Sequence, residues 1–260
     1  MITEINFDTL SDFAKTLNKK QKQNLLFVRI YANARCFSKK GLCKVYLCKN
    51  DNKICGVICT YSACATAFFK YTPDLYELSD FLSFNSVDFI ETSYKIGKKL
   101  NKTMGKKMGF GSFFYLKSCK KTNVFDGEIS LCEDVSPFFE TLKLSSDAYK
   151  DTSYESYYCD YFYRKNLPAS LYALKKGEKI ISTLAILHFF EKTAIISDVA
   201  TLPAFRNRGY ASSLIKNVCA TLISEGITPA LLCTDSNAKR LYKELKFKEK
   251  GKFCILMIKD

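Results

Sequence analysis

Between residues 193 and 233 the chain runs through a strand, a glycine loop, a helix and a second strand, and this succession restricts the fold more than anything else in the sequence. Thr193 to Ala200 is an apolar run. Leu214, Ile215, Val218, Cys219, Leu222 and Ile223 then recur at the spacing of one buried helix face. Gly226 fits the stop of that helix, with Pro229 just beyond it. Ala230 to Cys233 reads as a short buried strand. A strand that returns through a helix to another strand predicts a partly parallel sheet covered by helices.

The same reading extends over the carboxy-terminal half. Ile129 to Cys132 is a strand candidate. Ser136 is positioned to cap a helix through Leu144, with Pro137 at its first position. Ser153 to Tyr163 is a tyrosine-rich helix. Ala169 to Leu174 and Ile180 to Phe190 form a hairpin through Lys175-Lys176-Gly177-Glu178. Ser236 or Asn237 starts a helix through Leu245, and Phe253 to Ile258 is the last strand. From residue 128 the expected order is therefore β, α, α, β, β, β, α, β, α, β. The fold class is α/β (α+β), with a mixed, partly parallel central sheet flanked by helices.

The amino-terminal half is less regular. Phe7 to Leu17 and Lys22 to Tyr31 have mixed helical patterning. Cys43 to Cys48 and Ile54 to Lys70 read as a hairpin around Lys49-Asn50-Asp51-Asn52-Lys53. A helix opens at Pro73, a strand covers Val87 to Glu91, a helix covers Tyr94 to Leu100, and Phe110 to Leu116 is a strand. The polar stretch Lys120 to Gly127 ends in Asp-Gly, a turn signal, and gives the expected boundary: one domain over 1–122 and one over 123–260.

Charge supports that division. Of the net +14, the first 125 residues hold 21 Lys and Arg against 9 Asp and Glu, while the rest hold 19 against 17. The lysines come as short pairs such as Lys98-Lys99 and Lys106-Lys107 with no nucleic-acid motif beside them, so a solvated basic surface is expected rather than a nucleic-acid site. None of the twelve cysteines has the two-residue spacing of zinc or redox motifs, and the one histidine is His188. Reduced, apolar thiols and no metal are expected. No apolar stretch reaches membrane-helix length, and Met1 to Leu10 lacks a secretory pattern, so the expectation is a cytoplasmic protein without a membrane partner.

The loop between strand and helix carries the chemistry. Arg206 to Ala211 leads into a helix N-terminus, where backbone N–H groups are free and the dipole favours an anion. Gly209 removes the Cβ that would obstruct a ligand, Ala211 is small, and Arg206 and Arg208 add positive charge. Ser212 offers a hydroxyl. A diphosphate fits such a seat.

Arg206-Asn207-Arg208-Gly209-Tyr210-Ala211 resembles the pyrophosphate loop of the GNAT acyltransferase superfamily, whose pattern is Gln/Arg-x-x-Gly-x-Gly/Ala. Asp198 to Pro203 resembles that family's central strand and its exit. Ala238 to Phe247 resembles its Ala-x-x-Leu-Tyr-x-x-x-Gly-Phe helix end, with Lys246 in place of the glycine. The resemblance covers roughly residues 128 to 260. The amino-terminal half lacks the loop and is similar to the degenerate half of tandem GNAT proteins.

The resemblance implies an N-acetyltransferase that uses acetyl-CoA as co-substrate and an amine as acceptor. Backbone amides of Arg206, Asn207, Arg208, Gly209, Tyr210, Ala211 and Ser212 would hold the diphosphate. Val199, Ala200 and Thr201 would pair with the pantetheine arm, and Asn237 stands near the asparagine that often contacts it. Tyr242 would protonate the departing thiolate. Asp198, a charge inside an apolar strand, is either a base or a hydrogen-bonded structural carboxylate, and Ser197 could equally face the amine. Two other readings stay open: a coenzyme-binding module without turnover, and an acyltransferase for a nucleic-acid-linked acceptor. The acceptor and the oligomeric state are not legible.

Overall fold

The computed structural model describes residues 1–122, 126–164 and 168–259. Asn123, Val124 and Phe125, in the expected boundary turn, lie outside the described residues. The chain divides into two compact units, one of Met1–Phe113, Leu232–Ser236 and Glu249–Asp260, the other of Phe114–Leu231 and Asn237–Lys248. Relative to a boundary at 122/123, residues 114–122, including the last two residues of the strand Met108–Tyr115, fall in the second unit, and two carboxy-terminal segments return to the first.

The first unit runs β1 (Ile2–Ile5), α1 (Phe7–Lys15), α2 (Lys19–Lys22), α3 (Leu25–Phe37), β2 (Cys43–Asn50), β3 (Lys53–Tyr61), β4 (Cys64–Phe69), α4 (Leu75–Phe84), β5 (Phe89–Ser93), α5 (Tyr94–Met104) and β6 (Met108–Tyr115). The second runs β7 (Glu128–Leu131), α6 (Val135–Ser145), α7 (Tyr154–Arg164), β8 (Ser170–Lys176), β9 (Lys179–Phe190), β10 (Thr193–Thr201), α8 (Tyr210–Ser224), β11 (Thr228–Cys233) and α9 (Ser236–Glu244), before β12 (Lys248–Met257) returns to the first. Each half of the chain thus repeats strand, helices, three strands, helix, strand, helix, strand. The order expected from residue 128 is the observed one.

In the first unit β1, β2, β3 and β4 pair antiparallel, β4 and β5 pair parallel, and β12 joins β5 antiparallel from Phe253↔Ser93 to Met257↔Phe89. In the second unit β7, β8, β9 and β10 are antiparallel and β10 pairs parallel with β11. Both units are therefore mixed α/β sheets.

Local chemistry explains most boundaries. Asp74 caps α4 by accepting from the N–H groups of Tyr76 and Glu77. In α6 the cap is Asp134, accepting from the Ser136 N–H, and not Ser136 as expected. Pro137 consequently falls third in the helix, still inside the turn whose N–H groups lack intrahelical partners. The expected second hairpin strand Ile54–Lys70 is two strands, β3 and β4, turning at Ser62, whose φ is +53°. Without glycine or proline at that turn, a continuous apolar run conceals it.

The core of the first unit is built on fully buried Phe27, Phe37, Leu25, Leu26, Leu78 and Leu82. That of the second rests on Phe138, Leu142, Leu184, Leu214 and Ile215, all at 0% exposure. Truncating any of these to alanine costs about 2–5 kcal/mol. The cysteines are free thiols. Burial pushes Cys254 up to about 11 and Cys64 up to about 12, so both stay protonated and pack as hydrophobes. Among the described residues no helix is long and apolar enough to cross a membrane.

The returning strand β12 is tightly fitted. A Cβ on Gly97 of α5 would stand 1.8 Å from Sγ of Cys254. Gly97→Ala should therefore destabilise the protein by about 1–3 kcal/mol despite the gain in helix propensity. Adding Cys254→Ala should recover most of that loss. Urea unfolding of both single variants and the double variant measures the coupling, and additivity would place β12 elsewhere.

Candidate active site

The site begins where two parallel strands part. β10 and β11 pair only at Thr193↔Thr228, Ala194↔Pro229 and Ile195↔Ala230. Beyond Ile195 the β11-facing edge of β10 has no partner in β11. On its other edge β10 keeps pairing with β9, but the register shifts between Ser197↔Ala185 and Ala200↔Thr183. Three residues advance on β10 for two on β9, which is a β-bulge at Asp198 and Val199. Asp198 takes the left-handed conformation, φ +53°. Thr183 Oγ1 donates to the Asp198 carbonyl at 3.0 Å, and Ser182 Oγ to the Ala200 carbonyl at 2.9 Å, pinning both ends of the bulge.

The loop after β10 turns through Pro203–Phe205 into α8. Asn207 (φ +61°) and Gly209 (φ +82°) are both left-handed. Gly209 is the N-cap residue and supplies no side-chain cap. The first helical bond at this end runs from Ser213 N–H to the Gly209 carbonyl, 2.9 Å. The N–H groups of Tyr210, Ala211 and Ser212 thus belong to the turn that has no intrahelical acceptors. A Cβ built on Gly209 would meet nothing within 4 Å, so the chain is open at this position. One residue past the expected seat, the buried Ser213 hydroxyl has no hydrogen-bond partner among the described residues.

The two arginines differ. Arg206 is spent on the scaffold: Nε donates to the Thr201 carbonyl at 3.1 Å, and the guanidinium donates to the Ser145 carbonyl at the end of α6, 2.6 Å. Of the expected pantetheine-pairing segment, the Ala200 and Thr201 carbonyls therefore already have partners, and Val199 lies in the bulge. Arg208 is exposed and its guanidinium carbon is 5.8 Å from the centre of the Phe205 ring.

Asp198 sits under an aromatic clamp that the sequence does not announce. Its two carboxylate oxygens accept from Tyr149 Oη at 2.5 Å and Tyr157 Oη at 2.8 Å. The Tyr157 ring stacks with those of Phe138 and Phe139 of α6. Loss of water raises the Asp198 pKa above its ordinary value, and the two tyrosine hydrogen bonds pull it partly back. Burial and the facing carboxylate drive both tyrosine hydroxyls up, so they remain donors. Arg164 grips Asp160 through two bonds of 2.7 and 3.1 Å and donates to the Leu187 carbonyl. Beside Asp198, the hydroxyl of Ser197 is buried without a partner among the described residues.

Tyr242, on α9, is 8% exposed, with its ring 6.2 Å from Phe114 and 5.7 Å from Phe247. The helix ends in a left-handed Lys246 (φ +68°), with Phe247 N–H bonded to the Tyr242 carbonyl at 2.9 Å. Lysine thus occupies the turn in which glycine is usual and forms the same closing bond. Asn237 is exposed in the first turn of α9. The structure holds Asp198 and Tyr242 through different sets of neighbours.

Residues 130–247 match the sequence model of the acetyltransferase (GNAT) family. The chain therefore carries a GNAT-family domain over that segment, and acyl transfer is the activity class this membership supports. Solved structures extend the likeness to the whole chain. It resembles a Drosophila protein (TM-score 0.70, 10% identity, 98% of each chain). It also resembles a tandem GNAT protein from the clavulanic acid biosynthesis pathway (0.64, 7%, 100% of this chain and 99% of that one). A GNAT-family acetyltransferase from Colwellia psychrerythraea matches as well (0.59, 14%, 99% of each). At such identities the likeness is one of fold. No curated protein matches the chain.

The clamp has a pH signature. A carboxyl whose folded pKa is raised stabilises the fold when protonated. Its contribution is complete below its ordinary value of 3.8 and fades as pH rises through the folded pKa. The stability of wild type relative to Asp198→Asn should therefore be greatest near pH 4 and fall toward neutrality. Thermal melts across pH 4–8 check this, and a difference that grows with pH would overturn the direction.

Proposed function

We propose that the GNAT-family unit transfers an acyl group, acetyl in the simplest case, from acetyl-CoA to a primary amine by direct attack. The observation that carries this reading is the glycine-led N-terminus of α8, which has no side-chain cap and is open at Gly209. Such a seat satisfies two linked phosphates through backbone N–H groups of residues 207–212, the expected Arg206 N–H being already bonded to the Pro203 carbonyl at 3.2 Å, with the Ser213 hydroxyl as a further donor and Arg208 adding charge. The unpaired edge of β10 beyond Ile195 supports an extended arm lying along the strand. The bound thioester supplies the activated acyl group.

This chain's residues would then do three things. The bulge at Asp198 and Val199 turns backbone N–H groups out of the ladder, where they can stabilise a developing oxyanion. An alkylamine has a pKa of about 10.4, so populating its neutral form at pH 7 costs roughly 4–5 kcal/mol. Asp198, with its raised pKa, is suited to draw that proton, directly or through the Ser197 hydroxyl. Tyr242 returns a proton to the leaving thiolate. No covalent enzyme intermediate is needed.

Gly209→Glu should lower acetyl-CoA affinity by at least 100-fold, because a carboxylate would repel the diphosphate from the seat. It should also cost about 1–2 kcal/mol in stability through its left-handed backbone. Isothermal titration measures the first effect, and unchanged tight binding would remove the loop from the mechanism. Tyr242→Phe should reduce kcat by about 100-fold with little change in KM for acetyl-CoA. The assay is release of free coenzyme A across a broad panel of amines. Undiminished turnover in the variant would end the acid assignment, and tight coenzyme binding with no release on any amine would favour a module without turnover.

A further inference from the structure

The amino-terminal unit lacks the diphosphate loop, yet its α5 has an outer face that folding does not explain. Lys95, Lys98, Lys99 and Lys102 are all exposed. Spaced three and four apart, they form one stripe opposite the buried Ile96 and Leu100. At 1.5 Å per residue the stripe is about 10 Å long. α5 contains no acidic residue, and among the described residues Lys95, Lys98 and Lys102 have no carboxylate partner. Like charges at these spacings repel, and Lys95 stands in the first turn, at the positive end of the helix dipole. Lys102, in the last turn, suits the dipole, and Lys99 Nζ donates to Thr72 Oγ1 at 3.2 Å, but the repulsion along the stripe gains nothing for the fold.

A second, independent feature lies at the start of the stripe. The rings of Tyr94, the first residue of α5, and Phe110, on β6, are 5.5 Å apart and tilted by 55°. They remain 37% and 46% exposed. Apolar rings beside a row of ammonium groups suit a partner with both flat aromatic faces and regularly spaced anions. We propose that the outer face of α5, with the Tyr94–Phe110 pair, is a binding surface for single-stranded nucleic acid, bases stacking on the rings and phosphates meeting the lysines. An acidic membrane fits less well, because the apolar side of α5 is consumed by the core around Leu100 and Leu256 and has nothing to insert. An acidic peptide would leave the aromatic pair without a role. Read as sequence, these lysines are scattered pairs, and only helical register aligns them.

The test uses the full chain and a fluorescein-labelled twelve-nucleotide oligouridylate, followed by anisotropy at 50–250 mM salt. Four phosphate contacts predict a log–log salt slope of about −3. The variant Lys98→Gln/Lys99→Gln/Lys102→Gln should bind at least tenfold more weakly, with a slope near −1. Phe110→Leu should bind about tenfold more weakly with the slope unchanged, because it removes stacking and no charge. The substitutions lie on the surface, and thermal melts confirm that each variant is folded. Absence of binding at 50 mM salt would overturn the proposal, as would wild-type affinity in both variants. Binding of duplex RNA, polyglutamate or phosphatidylserine vesicles as tight as that of the single strand would do the same.

Discussion

The parting of β10 from β11 after Ile195 governs the carboxy-terminal unit. While two parallel strands stay paired, their backbone groups are satisfied and nothing can enter between them. Once they separate, one edge of β10 keeps its N–H and C=O groups without a strand partner. The helix that follows starts at the end of the same strand with first-turn N–H groups that have no side-chain cap. Both sets of donors arise from backbone geometry, so the site depends on few particular side chains. Gly209 matters because it adds no side chain.

The side chains that do matter hold this geometry in place. The bulge sets Asp198 in a left-handed conformation that a non-glycine residue adopts only at some cost. That backbone is over-determined by Thr183 and Ser182 from β9 and by Tyr149 and Tyr157 at the carboxylate. Arg206, which looks like a phosphate ligand in the motif, instead ties the end of α6 to the end of β10. Its charge still contributes to the local field, but its hydrogen bonds serve the scaffold.

Each half of the chain follows the same order of elements, but the helix after the third strand of the hairpin set opens on Gly209 in one and on a capping Asp74 in the other. After β4, the place corresponding to the glycine loop is filled by Pro73 and the cap residue Asp74, whose carboxylate already satisfies the first N–H groups of α4. A capped helix end has little left to offer an anion. The amino-terminal half repeats the order of elements without the glycine-led turn. Its excess of positive charge lies on its surface instead, most plainly along α5.

The sequence by itself determined what is local: the glycine loop, the amphipathic α8 with its stop at Gly226, and the order of elements from residue 128. Each follows from backbone preferences and periodicity within a few turns of chain. It gave weaker signals where the signal was short or uniform, as for β1 and for the β3–β4 turn at Ser62. Tertiary structure alone decided which residues meet. Asp198 finds Tyr149 and Tyr157 more than forty positions away, and β12 leaves the domain in which its neighbours in sequence fold. Such pairings depend on the closing of long loops and on packing across sheets, which no local pattern encodes.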